Sequence, residues 1–299
     1  GDTMVRTALY EAANVMLTRA GKFSTLKRWA PEVAKRRGPR RAKVALFTGC
    51  VAEALFDHVN WATARVLQLN GCDVIVPQGQ GCCGAIHYHS GASQPALQLA
   101  ETNIESFEPD DVDAIIINAS GCGTMVKDYG HLMRHEPDYT ERAATLAGMT
   151  LDITEFLTRF ELGAPRRWSS LRVAYHSACS MQHGQRIISE PRTLLRKAGF
   201  TVLEPPEGHI CCGSAGVYNI LQPELADELR TRKVANIESV RPDIVAAGNL
   251  GCITQIGLGT RLPIVHTVEL LDWAFGGPVP RGLESFKSFV SDVPGDAAA

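Results

Sequence analysis

The sequence predicts an α/β protein built from two tandem, homologous parallel-sheet domains, preceded by a short, basic, helical segment. Three observations carry that expectation: a cysteine pattern that occurs twice, β-rich apolar runs that alternate with helical stretches, and an abrupt change of charge near residue 43. A chain of 299 residues has room for two compact domains. Its 45% hydrophobic and 21% charged composition is globular, which excludes disordered, collagen-like and coiled-coil chains. The longest apolar runs, such as AIIINA around Ile116, fall far short of the ~20 residues of a membrane-crossing helix. No charged-then-apolar leader precedes a cleavage site, so the expected compartment is the cytoplasm, where nine cysteines point to metal or redox chemistry rather than to disulfides.

The cysteines define the repeat. Cys50, the pair Cys82 and Cys83, and Cys122 are echoed by Cys179, the pair Cys211 and Cys212, and Cys252. The first gap is 32 residues in both copies, and the second is 39 in one and 40 in the other. Local context repeats as well, GCCGA against ICCGSAG and SGCG against LGCI. Only Cys72 stands outside the pattern; at the entry to a strand it reads as a core cysteine.

In the first copy KVALFTG (43–49), DVIVP (73–77) and DAIIINA (113–119) read as strands, with helices over 60–70 and 94–107. The second copy offers RVAYHSA (172–178), TVLEP (201–205) and DIVAAGN (243–249), with helices near 191–199 and 223–240. A helical connection is expected over 141–162, a linker over 163–170 and a last short strand in PIVHTVE (263–269); the last twenty or so residues read as frayed. Strands alternating with helices of this length give doubly wound parallel sheets.

Each cysteine position follows a strand, and the carboxyl ends of strands in an open parallel sheet converge on one crevice. Four thiols per copy therefore meet at one place, a donor set for tetrahedral zinc or for an iron-sulfur cluster. Adjacent cysteines on a strand would diverge, so each pair must sit in a turn, which Gly84 and Gly213 permit. Eight buried thiols acting as small hydrophobes would not repeat one spacing twice. His87, His89 and His209 flank the pairs and could hydrogen-bond a cluster sulfur, although satisfied, partly exposed histidines are the plainer reading. Lys127, Asp128 and Tyr129 read either as a partner surface or as a polar helix start.

The arrangement of Cys, CysCysGly and a final Cys resembles the duplicated cysteine-rich CCG domain found in heterodisulfide reductases, lactate-utilisation proteins and glycolate oxidase iron-sulfur subunits. TGCVAEALF with ATARVL downstream, GCCGAIHYH, ASGCGTMVKDYGHL, HICCGSAGVYNI and NLGCITQIG resemble the last of these, from about Lys43 to about Phe275. The resemblance implies iron-sulfur ligands at Cys50, Cys82, Cys83, Cys122, Cys179, Cys211, Cys212 and Cys252. It implies an electron-transfer subunit that takes electrons from flavin (FAD) subunits oxidising glycolate, in the cytoplasm or at the inner face of its membrane through the complex. In heterodisulfide reductase the repeat ends in CysXXCys; here the positions three before Cys122 and Cys252 are Ala119 and Asn249, so a four-thiol [4Fe-4S] site or a zinc site fits the count better than a five-thiol cluster. The rival readings are a thiol-disulfide redox subunit and a zinc-bound remnant without redox activity.

Residues 1 to 43 carry eleven basic and three acidic side chains, whereas the rest is acidic enough to bring the whole chain to −2. Residues 4–38 resemble the tail of an insertion-sequence transposase, and no ferredoxin motif precedes Cys50. The expected organisation is a fused basic segment over 1–42, CCG domains over 43–165 and 166–280 and a flexible tail over 281–299, with the ferredoxin-type domain lost. The basic segment reads as a solvated helix, and no nucleic-acid chemistry is expected of it.

Overall fold

The structure is a computed structural model that describes residues 42–159 and 162–292. The sequence segment read as a transposase tail lies outside the described residues. β1 (Ala42–Phe47) is buried along almost its whole length, as a central parallel strand covered on both faces must be. It pairs in parallel with β2 (Cys72–Ile75) and with β3 (Ala114–Ile117), and β3 pairs in parallel with β4 (Thr150–Asp152), giving the order β2-β1-β3-β4. β5 (Arg167–Ser169) follows as a separate short strand. The second half repeats the sheet with β6 (Arg172–His176), β7 (Thr201–Leu203), β8 (Ile244–Ala247) and β9 (Ile264–His266) in the order β7-β6-β8-β9. β10 (Val290–Asp292) runs antiparallel to β5.

In the first half the connections are α1 (Cys50–Leu55), α2 (Asp57–Leu69), α3 (Ala85–His89), α4 (Ser93–Ser106), α5 (Ser120–Lys127), α6 (Tyr129–Leu132), α7 (Thr140–Met149) and α8 (Ile153–Thr158). In the second they are a π turn (Ser180–Gly184), α9 (Glu190–Lys197), α10 (Tyr218–Leu221), α11 (Pro223–Ser239), α12 (Leu250–Gly257) and α13 (Thr267–Ala274). Among the described residues no helix is long and apolar enough to cross a membrane.

The expected helical connection over 141–162 is instead α7, β4 and α8. Asp152 breaks it: its carboxylate accepts from the Thr154 amide at 2.8 Å while Glu155 reaches back to the Asp152 amide, a capping box that starts a new helix. The second half places an equivalent box at His266 and Glu269, so a strand and a capped helix end each repeat. The expected linker over 163–170 holds β5, and much of the tail expected to fray is ordered: 284–289 form a 3₁₀ helix and β10 is zipped onto β5, with only 293–299 outside the described residues.

The closing helix of each half packs on the first long helix of the other, α13 on α2 and α8 on α9. One core therefore runs through both sheets, joining Leu46, Ile116, Phe156 and Leu157 to Val173, Ala246, Leu271 and Trp273. A smaller core fills the far side of each sheet, around Ile115 and Phe107 in one half and Val245 and Ile237 in the other. Arg65 on α2 pairs with the buried Asp272 on α13 at 2.6 Å. His266 Nδ1 accepts from the Val268 amide at 3.1 Å, which leaves Nε2 to donate to the Asn118 carbonyl of the first half at 2.8 Å. Burial pushes this histidine down to about 4, which keeps the ring neutral and suited to that double role.

Candidate metal centres

The strand order reverses between β1 and β3, and again between β6 and β8, so the crevice of each sheet opens at those carboxyl ends. Gly49, at φ 67°, turns the chain out of β1 and sets Cys50 as the first residue of α1. A Cβ on Gly49 would lie 3.6 Å from the Cys122 sulfur, so the third residue of α5 reaches over this turn. Cys82 and Cys83 sit in the turn after β2. Gly84, at φ 85°, ends that turn against α4, and its amide donates to the Cys82 sulfur at 3.4 Å.

The pair is clamped by fully buried polar side chains. Asn103 of α4 donates to the Cys82 carbonyl at 2.8 Å and accepts from the Gly81 amide at 2.9 Å. The Tyr129 hydroxyl donates to the Cys83 carbonyl at 2.9 Å. Tyr129 is thus an internal brace rather than part of a partner surface, and Lys127 is engaged with Glu155 at 2.6 Å.

The second half is built on the same plan. Cys179 precedes the π turn, Cys252 is the third residue of α12, and Gly213, at φ 93°, donates its amide to the Cys211 sulfur at 3.3 Å. The Cys212 and Cys252 sulfurs are 3.2 Å apart. Asn249, three residues before Cys252, caps α12 by accepting from the Cys252 amide at 3.0 Å. Its amide group donates to Ser120 Oγ at 3.0 Å.

Within each set the thiols share protons. Hydrogen bonds from Cys50 and Cys83 bring Cys82 down to about 3, helped by the Gly84 amide, while Cys50 and Cys83 are pushed up. In the second set hydrogen bonds from Cys179 and Cys212 take Cys211 down to about 2, and the bond to Cys212 takes Cys252 to about 5 with help from His176. Cys179 and Cys212 are pushed up in turn. The structure thus brings Cys50, Cys82, Cys83 and Cys122 together, and separately Cys179, Cys211, Cys212 and Cys252. Each set offers neighbouring sulfurs of which Cys82 in one, and Cys211 and Cys252 in the other, have thiolate character, the donor chemistry that iron-sulfur clusters and zinc require. Cys72 lies in the main core.

A hydrogen-bonded bridge joins the two sets. Ser120, two residues before Cys122, donates its amide to the Gly248 carbonyl at 3.1 Å, and its hydroxyl meets that of Ser180, beside Cys179, at 2.8 Å. Thr124 donates to the Ser180 carbonyl at 3.0 Å, and Gln185 to the Ser120 carbonyl at 2.9 Å.

The surroundings of the sets differ. The strand residue three before the first cysteine is Phe47 in one half and His176 in the other, and the clamp residue Asn103 has Lys233 as its counterpart, buried and donating to the Glu207 carbonyl at 3.0 Å. Neither His176 nor Lys233 was signalled by the repeat, because a repeat highlights what is shared. Among the histidines that the sequence did suggest, His87 contributes to holding Cys82 down, whereas His89 and His209 are exposed.

The comparisons with known proteins agree with this geometry. The pattern that defines the CCG cysteine-rich domain matches twice, over 44–127 and 173–257. The chain is 35% identical over 246 residues to the glycolate oxidase iron-sulfur subunit of Escherichia coli (81% of this chain, 60% of that one). It is 35% identical over 254 residues to the probable glycolate oxidase iron-sulfur subunit of Bacillus subtilis (80% and 56%). It is 31% identical over 239 residues to lactate utilization protein A of Oceanobacillus iheyensis (77% and 96%). The chain thus spans less than two thirds of the length of the two glycolate oxidase subunits and nearly all of the lactate utilization protein. With the domain pattern present twice and its cysteines gathered at equivalent sheet ends, the chain belongs to the CCG cysteine-rich domain family.

Proposed function

We propose that this chain is the iron-sulfur electron-transfer subunit of a complex that oxidises a small 2-hydroxy acid, glycolate in the first instance, on a partner's flavin. Cys50, Cys82, Cys83 and Cys122 would hold one [4Fe-4S] group, and Cys179, Cys211, Cys212 and Cys252 a second. The complex would work in the cytoplasm, with FAD subunits as partners. The observation that carries this reading is the pair of equivalent four-thiol sets at the carboxyl ends of two parallel sheets, joined through Ser120 and Ser180. Groups of this kind take up and release single electrons without moving the protein.

The chain's own residues do the rest. Gly84 and Gly213 point amides at sulfur, which favours added negative charge there. Buried Cys83, Cys212 and Cys252 keep water from one side of each set, and the Asn103 and Tyr129 clamp holds the first pair in its turn. Removal of hydride from the acid is flavin chemistry and is assigned to the partner.

The direct test is anaerobic mixing of the brown, oxidised chain with the flavin subunits of a glycolate oxidase and glycolate. Glycolate-dependent bleaching of the visible absorption is the expected result. Bleaching by dithionite but never by glycolate and the flavin subunits would overturn the assignment of this electron donor.

A further inference from the structure

His176, the last residue of β6, ends its strand beside the second set, where Phe47 stands in the first half. It is only 2% exposed, its Nε2 has no nitrogen or oxygen partner among the described residues, and the polar group its ring meets is the Cys252 sulfur. A ring nitrogen of His176 and the sulfurs of Cys212 and Cys252 all lie within 4.8 Å of one another. Among the described residues no other three side chains of histidine, cysteine, aspartate or glutamate come so close.

An imidazole nitrogen buried without a nitrogen or oxygen partner is costly, so its placement calls for a compensating contact. Two thiolates and an imidazole within such a short radius are the donors that soft and borderline cations take, and they are compact enough to share one ion. Phe47 offers nothing of the kind.

We propose that His176 is a metal ligand of the second centre, so that the two halves carry unlike centres: thiolate alone at Cys82 and Cys83, thiolate with imidazole at Cys212 and Cys252. The inference rests on the reading of both sets as metal sites. The donor set suits a single zinc ion or, with the imidazole in place of one of the four thiolates, an iron atom of a cluster, and the experiment separates the two.

The full chain carrying Cys82→Ser and Cys83→Ser, which silences the first set, is stripped of metal and loaded anaerobically in two arms. One arm receives Co(II) as a paramagnetic stand-in for zinc, the other ferrous and ferric iron with sulfide, followed by one-electron reduction with dithionite so that a cluster becomes paramagnetic. Each is read by metal and sulfide content and by pulsed EPR, with ¹⁴N and ¹⁵N histidine exchanged to identify imidazole coupling. The expected result is imidazole coupling in the arm that fills. Coupling with cobalt alone assigns a single ion, and coupling in the iron and sulfide arm assigns a cluster. His176→Phe should remove the coupling and weaken metal binding roughly tenfold or more. A filled centre without imidazole coupling overturns the inference and leaves the metal reading standing; no metal in either arm overturns both. Should the double serine variant fail to fold by circular dichroism, the difference between the unaltered chain and His176→Phe gives the same reading.

Discussion

The glycine that follows each cysteine pair is where the backbone is least forgiving. A Cβ added at Gly213 would stand 2.3 Å from the Ala226 carbonyl oxygen, while at Gly84 it would meet the Ala96 carbonyl at 3.2 Å. Both residues have positive φ, so alanine is strained at either, but only at Gly213 must backbone move. Gly213→Ala should therefore cost on the order of 3 kcal/mol and Gly84→Ala about 1–2 kcal/mol, read by urea unfolding. Equal costs would mean that α11 gives way more easily than its packing suggests. The ligand assignment is tested at the same scale. Cys83→Ser and Cys212→Ser should each lower bound iron to roughly half, one set at a time, and Cys72→Ser should leave it unchanged. Iron loss from Cys72→Ser equal to that from Cys83→Ser would contradict the assignment.

At the scale of elements, the helix starts at Ser120 and Leu250 do two tasks, presenting a cysteine and joining the halves. Ser120→Ala would leave Asn249 Nδ2 and Ser180 Oγ without the buried hydroxyl they share, at a cost of about 1–3 kcal/mol. Denaturant titration should show this loss with the iron content of the folded chain retained; a neutral substitution would mean that the bridge is not a structural link. Much of the element plan was legible in the sequence. The runs over 43–49, 73–77 and 113–119, which overlap β1, β2 and β3, announce themselves as β-branched or apolar stretches bounded by turn residues, and the repeat supplies their partners in the second half. β4 was hidden because three residues inside a helical periodicity carry no pattern of their own, although Asp152 and Glu155 spell a capping box. β5 and β10 were hidden because their pairing is between residues more than a hundred positions apart. At the candidate sites, spacing singled out the eight cysteines that the structure gathers in two sets, whereas His176 and Lys233 owe their places to tertiary packing against the second set.

Over the whole molecule, the two halves are held by an exchange of helices and a small number of buried polar contacts between them. Glu269, the partner of His266 in its capping box, is pushed up to about 7 by burial against an ordinary value of 4.5. The folded chain therefore binds more protons here than the unfolded chain between those pH values, and this group lowers stability as pH rises through the window. His266, held down to about 4, acts oppositely as pH rises from 4 to its ordinary 6.5. Comparison with Glu269→Gln isolates the carboxyl. The variant should gain on the order of 2 kcal/mol relative to the unaltered chain between pH 5 and pH 8, read from denaturant midpoints and slopes at both pH values. A constant difference across that range would show that the carboxyl titrates alike in both states.

The helix exchange also makes the two cysteine sets parts of one body, which suits a role in passing electrons from one to the other. The most direct measurement of that role is the iron and acid-labile sulfide content of the anaerobically purified chain, taken with its EPR spectrum after stepwise reduction. Two cluster-bearing sets predict matched iron and sulfide, about eight of each per chain if both are four-iron groups, and two reducible signals of which Cys83→Ser and Cys212→Ser remove different ones. A colourless chain that carries zinc and no sulfide at both sets would contradict the account.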